Sequence, residues 1–183
     1  MVKLEDLYNL KCSSNSDINE HLPTLKRYAE ECDHVTEMGV RWVVSTYAFM
    51  MGRPKQMISY DIVAVENHGI EREYLKDLAK EVDVDYQFIV ADTRDLVIDE
   101  TDLLFIDTWH VYEQLKVELE LHGNKARKYL IFHDTTTFET KGEGDGYVGL
   151  WPAIEEFLET NPHWVIHERF TNNNGLTILK RTN

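Results

Sequence analysis

Two apolar runs near the middle of the chain each end on an acidic residue with a histidine close by. The first run reaches Asp107, with His110 three residues later, and the second ends on His133 and Asp134. Unbroken apolar runs are typical of strands in a parallel sheet that is covered on both faces. Ligands of such sheets bind beyond the carboxyl ends of the strands. We therefore expect two carboxylates and two imidazoles to converge in one crevice.

These side chains predict acid–base or metal chemistry. Carboxylate oxygens at two strand ends suit a divalent cation, which lowers the pKa of a hydroxyl bound to it. His110 is the candidate general base, because an unperturbed histidine has a pKa of about 6.5 and can accept a proton near neutral pH. Two alternatives stay open: His110 is a structural residue beside Trp109, or the two carboxylates share a proton or cap helices.

The elements that must position these residues alternate between strand and helix along most of the chain. Apolar runs predict strands at 34–38, 57–63, 86–90, 103–107 and 129–133. Helical spacing predicts helices at 44–51, 68–82 and 111–121. Asn174-Gly175 between the strand-like runs 164–170 and 176–180 predicts an antiparallel hairpin. The predicted fold is a doubly wound, Rossmann-like α/β sheet of seven strands, five of them parallel and followed by a C-terminal antiparallel hairpin.

We expect a single domain overall, with an N-terminal helical segment at 1–32 and the α/β domain at 33–183. The polar stretch 13–17 predicts a loop and cap before a helix that continues to about residue 31. The glycine-rich loop 135–149 is expected to hang over the crevice, and Pro152 marks the start of the following helix.

Composition excludes several classes of partner. The 183 residues contain 19 Lys and Arg against 33 Asp and Glu, a formal charge of −14. Such a surface disfavours nucleic acid and anionic membranes. Cys12 and Cys32 have no metal-site spacing and predict reduced thiols. With no apolar stretch of roughly 18 residues and no signal-peptide pattern, we expect a cytoplasmic protein with a small-molecule partner.

The order of these motifs resembles the class I S-adenosylmethionine-dependent methyltransferases, whose architecture is five parallel strands and a terminal antiparallel hairpin. The sequence is most similar to the metal-dependent branch that methylates hydroxyls of small molecules and sugars. Asp107-Thr108-Trp109-His110, His133-Asp134 and the stretch 149–154 carry this resemblance, which covers residues 33–181.

The resemblance implies a site for S-adenosylmethionine at the ends of the first three strands. Glu37 would contact the amino end of the methionine moiety, Asp61 the ribose hydroxyls and Asp92 the adenine edge. Gly39 lets backbone approach the ligand, and Ser45 lies in the same loop, at the start of a helix whose free N–H groups face the ligand.

One position departs from the family pattern. Val43 stands where the cofactor loop has its later glycine. A β-branched residue adopts a positive φ only with strain, so we expect this loop to bend differently or to fit the cofactor less closely.

The resemblance also implies that Asp107, His133 and Asp134 hold a divalent metal, Mg²⁺ or Mn²⁺, with His110 as general base. His133 replaces the more usual carboxylate, which shifts the preference from Mg²⁺ toward Mn²⁺, Fe²⁺ or Zn²⁺, or abolishes the site.

The implied activity is methyl transfer to a hydroxyl of a small molecule, with sugars and glycosides among the acceptors. The alternatives are a degenerate relative with a binding or structural role, and a metal-dependent hydrolase on the same scaffold. Because the chain is short for this branch, the site is either open or completed by a second copy in a homo-oligomer.

Overall fold

The computed structural model describes residues 2–182, which contain one seven-stranded sheet and six α-helices. The strands in chain order are β1 (His34–Met38), β2 (Gln56–Asp61), β3 (Asp85–Val90), β4 (Thr101–Ile106), β5 (Ala126–His133), β6 (Trp164–Phe170) and β7 (Leu176–Arg181). The helices are α1 (Leu4–Ser13), α2 (Leu22–Ala29), α3 (Val44–Met51), α4 (Arg72–Lys80), α5 (Tyr112–His122) and α6 (Trp151–Thr160).

The strand order is β3-β2-β1-β4-β5-β7-β6, and β1 to β5 pair in parallel. β7 runs antiparallel to both β5 and β6. This arrangement confirms the predicted fold. The chain reverses its direction of progress across the sheet between β1 and β4, and the carboxyl ends of strands at such a reversal form a natural crevice for ligands.

Two hydrophobic clusters cover the two faces of the sheet, which explains the unbroken apolar run Leu103 to Ile106 in β4. Leu103 and Phe105 pack into the cluster that contains α2, α3 and α4. Leu104 and Ile106 pack into the other cluster, with α5 and α6. Alternate residues of a strand point to opposite faces, so the part of a strand that is covered by both clusters is apolar at successive positions. The first two residues of β4, Thr101 and Asp102, are polar and form hydrogen bonds instead.

The N-terminal region differs in detail from the prediction. Helix α1 was not predicted, since Leu4 is its only fully buried residue and its apolar pattern is weak. The helix expected through residue 31 begins instead at Leu22, with a proline in its first turn. The helix expected from residue 68 begins at Arg72, because Gly69, with φ of +75°, ends a short 3₁₀ turn.

Leu22 and Leu25 of α2 share the cluster that packs on the sheet. The boundary placed at residue 32 stays a prediction. Within residues 2–182, no helix combines the length and the apolar character needed to cross a membrane.

Candidate functional site

A cavity of about 480 Å³ opens at the carboxyl ends of the parallel strands. Its walls are the loops after β1 to β5, the start of α5, and residues 17 and 18. The predicted site residues that line it are Gly39, Ser45, Asp61, Asp92, Asp107, His110 and Asp134. Glu37 and His133 lie behind this wall and are almost completely buried.

The loop after β1 brings backbone against backbone at Gly39. Its φ is +84°, and a Cβ at this position would lie 2.0 Å from the carbonyl oxygen of Asp107. Glycine is therefore required both for the backbone conformation and for the close approach to β4.

Val43 itself adopts the left-handed conformation that a glycine would adopt easily, with φ of +56° and ψ of +26°. The sequence predicted that this loop bends differently or fits the cofactor less closely. In the structure, residue 43 keeps a left-handed conformation, and the loop carries the resulting backbone strain. That strain is of order 1–2 kcal/mol for a single residue. Burial of the Val43 side chain, which is 1% exposed, offsets it.

Glu37 lies beneath the cavity wall and accepts hydrogen bonds from three hydroxyl groups. Ser45 Oγ donates to Oε1 at 2.6 Å, while Thr46 Oγ1 and Ser59 Oγ donate to Oε2 at 2.9 and 2.6 Å. Burial raises the pKa of Glu37 to about 7, against the opposing effect of the three hydroxyls. Of these four residues only Ser45 lines the cavity, so Glu37 is connected to the cavity through Ser45.

Asp61 ties two of the loops together. Its Oδ2 accepts the backbone N–H groups of Val40 and Arg41 at 2.8 and 2.9 Å, and its Oδ1 accepts that of Val63 at 2.8 Å. Since each carboxylate oxygen has two lone pairs, Oδ1 keeps capacity for one further donor, such as a ribose hydroxyl.

Asp92 caps the turn after β3. Its Oδ1 accepts from the backbone N and from Nε of Arg94 at 3.0 and 2.9 Å, and its Oδ2 accepts from Nη2 at 2.6 Å. These side-chain hydrogen bonds from Arg94 lower the pKa of Asp92 to about 2. Oδ1 is therefore fully engaged within the turn, whereas Oδ2 keeps capacity for one further donor.

The structure brings together the four residues that the strand ends predicted. His110 Nε2 lies 2.9 Å from Asp134 Oδ2 and 3.3 Å from Asp107 Oδ1. His133 Nδ1 lies 3.3 Å from Asp107 Oδ1 and 3.5 Å from Asp134 Oδ2. Each imidazole therefore faces both carboxylates.

Backbone carbonyl groups determine which nitrogen of His133 carries a hydrogen. Its Nε2 lies 3.1 Å from the carbonyl oxygen of Asp17 and 3.3 Å from that of Asn173. Because a carbonyl oxygen only accepts, Nε2 must be the protonated nitrogen. In the neutral ring Nδ1 then carries a lone pair toward the carboxylates, as a metal-ligating histidine requires.

The carboxylates change the protonation of both imidazoles. Burial alone lowers the pKa of His110, but hydrogen bonds with Asp107 and Asp134 outweigh it and raise the pKa to about 10. Burial is likewise outweighed at His133, where the charge of Asp107 raises the pKa to about 9. The charge of His133 holds the pKa of Asp107 well below its usual range despite burial. Both rings are therefore cationic at neutral pH in this arrangement, and the assignment of His110 as a base stays a prediction.

Asp134 has two features that suit a cation site. It is a non-glycine residue with φ of +60°, and such backbone strain concentrates at functional positions. Its buried Oδ1 has no hydrogen-bond partner among residues 2–182. Asp107, His110 and Asp134 each offer one ligand atom, all within 4.8 Å of one another, and two oxygens with a nitrogen form a donor set for Mn²⁺ or a similar ion. The residues fit a divalent metal.

A third carboxylate reaches His110 from the loop 135–149. Glu143 Oε2 lies 2.9 Å from His110 Nδ1, and the backbone N–H of Glu143 donates to the His110 carbonyl oxygen at 3.0 Å. The ring of Phe138 stacks on the imidazole with centroids 4.7 Å apart. Glu143 could not be identified from the sequence, because nothing in a glycine-rich loop specifies which acidic residue faces inward.

No protein-family model matches the sequence, and no curated protein is similar to it in sequence. Solved structures are similar in fold. The methyltransferase PaMTH1 of Podospora anserina, solved with bound S-adenosylhomocysteine (SAH), is 14% identical, covers 98% of this chain and 88% of its own, and superposes with a TM-score of 0.62.

An O-methyltransferase from Bacillus cereus in complex with SAH is 13% identical, with coverage of 98% and 90% and a TM-score of 0.61. The N-terminal domain of EvdMO1, solved in the presence of SAH and D-fucose, is 12% identical, with coverage of 93% and 85% and a TM-score of 0.55. Identities this low establish the fold alone: the chain has the fold of the class I methyltransferases.

Proposed function

We propose that this chain is an S-adenosylmethionine-dependent O-methyltransferase that acts on a hydroxyl of a small molecule. The observation that carries the proposal is a single cavity that connects Gly39 and Asp61 with the cluster of Asp107 and Asp134. Bound S-adenosylmethionine supplies the methyl group. Because cofactor and acceptor share one cavity, the protein can align them for direct displacement, and alignment is its largest contribution to the rate.

At the cofactor end of the cavity, both backbone and side-chain groups contact the ligand. Gly39 allows the loop after β1 to approach the ligand, and the free lone pair of Asp61 Oδ1 accepts a ribose hydroxyl. Glu37 is fully buried, so we assign it to holding the Ser45 hydroxyl in place rather than to direct contact with the methionine moiety.

Asp107 and Asp134 would hold a divalent metal at the acceptor end, with the Nδ1 lone pair of His133 as the third ligand. His110, which is the nitrogen donor of the compact group described above, is then left to act as the base. Such an ion would lower the pKa of a coordinated hydroxyl. His110 can take a proton from the hydroxyl of the acceptor molecule only after it has lost the proton that it holds between the two carboxylates. We therefore expect the metal-loaded protein, in which a cation already neutralises these carboxylates, to be the form in which His110 is neutral.

The acceptor is a hydroxylated small molecule, and a sugar or glycoside is the favoured class. Trp42 and Trp109 line the cavity and are half exposed. Flat indole faces suit the C–H face of a sugar ring, while polar groups beside them orient its hydroxyls. The similar fold of the EvdMO1 domain, solved with D-fucose, supports the same class.

Calorimetric titration of SAH into the purified protein, with and without Mn²⁺, tests the cofactor site. We expect micromolar binding, weakened at least tenfold by Asp61→Asn. Asp85→Asn is the matched control, because Asp85 is exposed at the opposite end of the neighbouring strand. Absence of SAH binding under every metal condition refutes the proposal.

A role in binding without catalysis is the second candidate. One observation favours it: Asp107 and Asp134 hold His110 in its cationic form, which cannot take a proton from an acceptor hydroxyl. Methyl transfer to a panel of hydroxylated acceptors separates the two candidates. SAH binding without any turnover, in the presence of Mn²⁺ or Mg²⁺, supports the second.

A further inference from the structure

Helix α5 presents a polar stripe to the interior, where an apolar face would be expected. Gln114, Glu118 and His122 are four residues apart, so they share one face of the helix. They are 7%, 0% and 0% exposed. Burying polar groups is unfavourable unless each finds a hydrogen-bond partner, so the partners of this stripe indicate what it does.

Glu118 connects α5 to two loops of the cavity. Thr93 Oγ1 and Gln114 Nε2 donate to its Oε1 at 2.6 and 2.8 Å, and Thr108 Oγ1 donates to its Oε2 at 2.8 Å. All three donor residues line the cavity. His122 Nε2 lies 2.8 Å from the carbonyl oxygen of Thr93. The stripe therefore fixes the loops after β3 and β4, which form the end of the cavity assigned above to adenine.

This network also fixes the amide group of Gln114. Its Nε2 donates to Glu118 Oε1 at 2.8 Å and to Thr93 Oγ1 at 3.3 Å, which uses both amide hydrogens. Burial raises the pKa of the Glu118 carboxyl, and the three donors oppose this effect. In the ionised form that these donors favour, Oε1 only accepts, so turning the amide over would place two acceptor oxygens against each other. Among residues 2–182, no group donates to Gln114 Oε1, which remains a free acceptor on a side chain that lines the cavity.

We propose that Gln114 Oε1 accepts a hydrogen bond from the exocyclic amino group of the adenine base, and that Gln114 selects a 6-aminopurine cofactor over a 6-oxopurine one. The inference rests on the proposed function, since it needs the cofactor in this cavity. A 6-oxo base would direct an acceptor toward Oε1, whereas a 6-amino base directs a donor. Asp92 is the other acceptor at this end: Arg94 donates twice to its Oδ1 and once to its Oδ2, so only Oδ2 keeps a lone pair.

Titration of SAH and of S-inosylhomocysteine, its 6-oxo analogue, into the protein tests the inference. We expect the wild type to prefer SAH about tenfold, the amount set by one hydrogen bond. Gln114→Met should weaken SAH binding about tenfold and leave binding of the analogue nearly unchanged, so that the preference disappears. Gln87→Met is the control, because Gln87 is exposed on β3 and its replacement should alter neither affinity.

Glu118→Gln provides a second test, in case Gln114→Met does not fold. The new amide can donate as well as accept, so Gln114 is free to turn over and the preference for SAH should fall while the hydroxyl contacts persist. Equal wild-type affinity for SAH and S-inosylhomocysteine overturns the inference. So does a preference for SAH that survives in both Gln114→Met and Glu118→Gln, or a preference that is lost only in Asp92→Asn. Failure of the wild type to bind SAH overturns the proposed function as well.

Discussion

Burial of Glu37 among three hydroxyls should make the stability of the protein depend on pH. The pKa of this carboxyl is raised from 4.5 to about 7 in the folded state. Because the folded pKa exceeds the unfolded one, the stabilising contribution is fully present below pH 4.5 and is lost as the pH rises through 7. At about 1.4 kcal/mol per pKa unit, the loss is about 3 kcal/mol.

Glu37→Gln removes this dependence, since the amide is neutral at every pH and can still bond to the hydroxyls of Ser45 and Ser59. The measurement is urea unfolding of both proteins between pH 4.5 and 8. The free energy of unfolding of the variant minus that of the wild type should increase by about 3 kcal/mol over this interval. Titration of His110 and of His133 is common to both proteins and cancels in the difference.

Glu113→Gln is the matched control, because Glu113 is exposed and the same substitution there should give a difference that is flat with pH. A flat difference for Glu37→Gln would refute the reasoning. It would mean that Glu37 is ionised across the whole interval and that the three hydroxyls outweigh its burial.

Three further predictions concern the loops and the cluster. Gly39→Ala should destabilise the protein by roughly 2–5 kcal/mol and abolish SAH binding, because the new Cβ meets the backbone of Asp107, just after β4. Gly69→Ala, also at positive φ but with nothing within 4 Å, should cost only about 1–2 kcal/mol and leave SAH binding intact in the same thermal and calorimetric assays. Asp134→Asn should weaken Mn²⁺ binding at least tenfold in calorimetry, whereas Asp145→Asn in the exposed loop should not; equal affinities would place the ion elsewhere. Glu143→Gln should speed amide hydrogen exchange in the loop 135–149, because a neutral amide holds the His110 imidazolium less strongly, and unchanged exchange would contradict that contact.

The fold could be predicted from sequence because its signals are local. The apolar runs of β4 and β5 stop at their strand ends, and Asn174-Gly175 identifies the hairpin turn. Helix α1 packs Leu4, Leu7, Tyr8 and Cys12 against the core, but Leu4 is its only fully buried residue and Leu10 is exposed, so its pattern is weak. Elements that pack strongly leave a periodic pattern in the sequence, and elements that pack weakly do not.

The site was predictable only where strand geometry determines it. Parallel strands end at one edge of the sheet, so Asp107 and Asp134 had to meet there. The hydroxyls around Glu37 come from two separate segments, and no local pattern reveals that they converge. The same is true of Glu143, whose position depends on the path of a long loop.

The turn of the β6–β7 hairpin has a consequence for biosynthesis. The carbonyl oxygen of Asn173 faces His133, that of Asn174 accepts the N–H of Thr136, and a Cβ on Gly175 would lie 2.3 Å from Thr136 Oγ1. This turn is translated after every residue of the cluster, so a growing chain carries the carboxylates and imidazoles before one of the two carbonyl groups that orient His133 exists. Until the hairpin docks, the edge of β5 is also unpaired and open to association with other chains. The last strand pair thus both closes the sheet and completes the backbone contacts around His133.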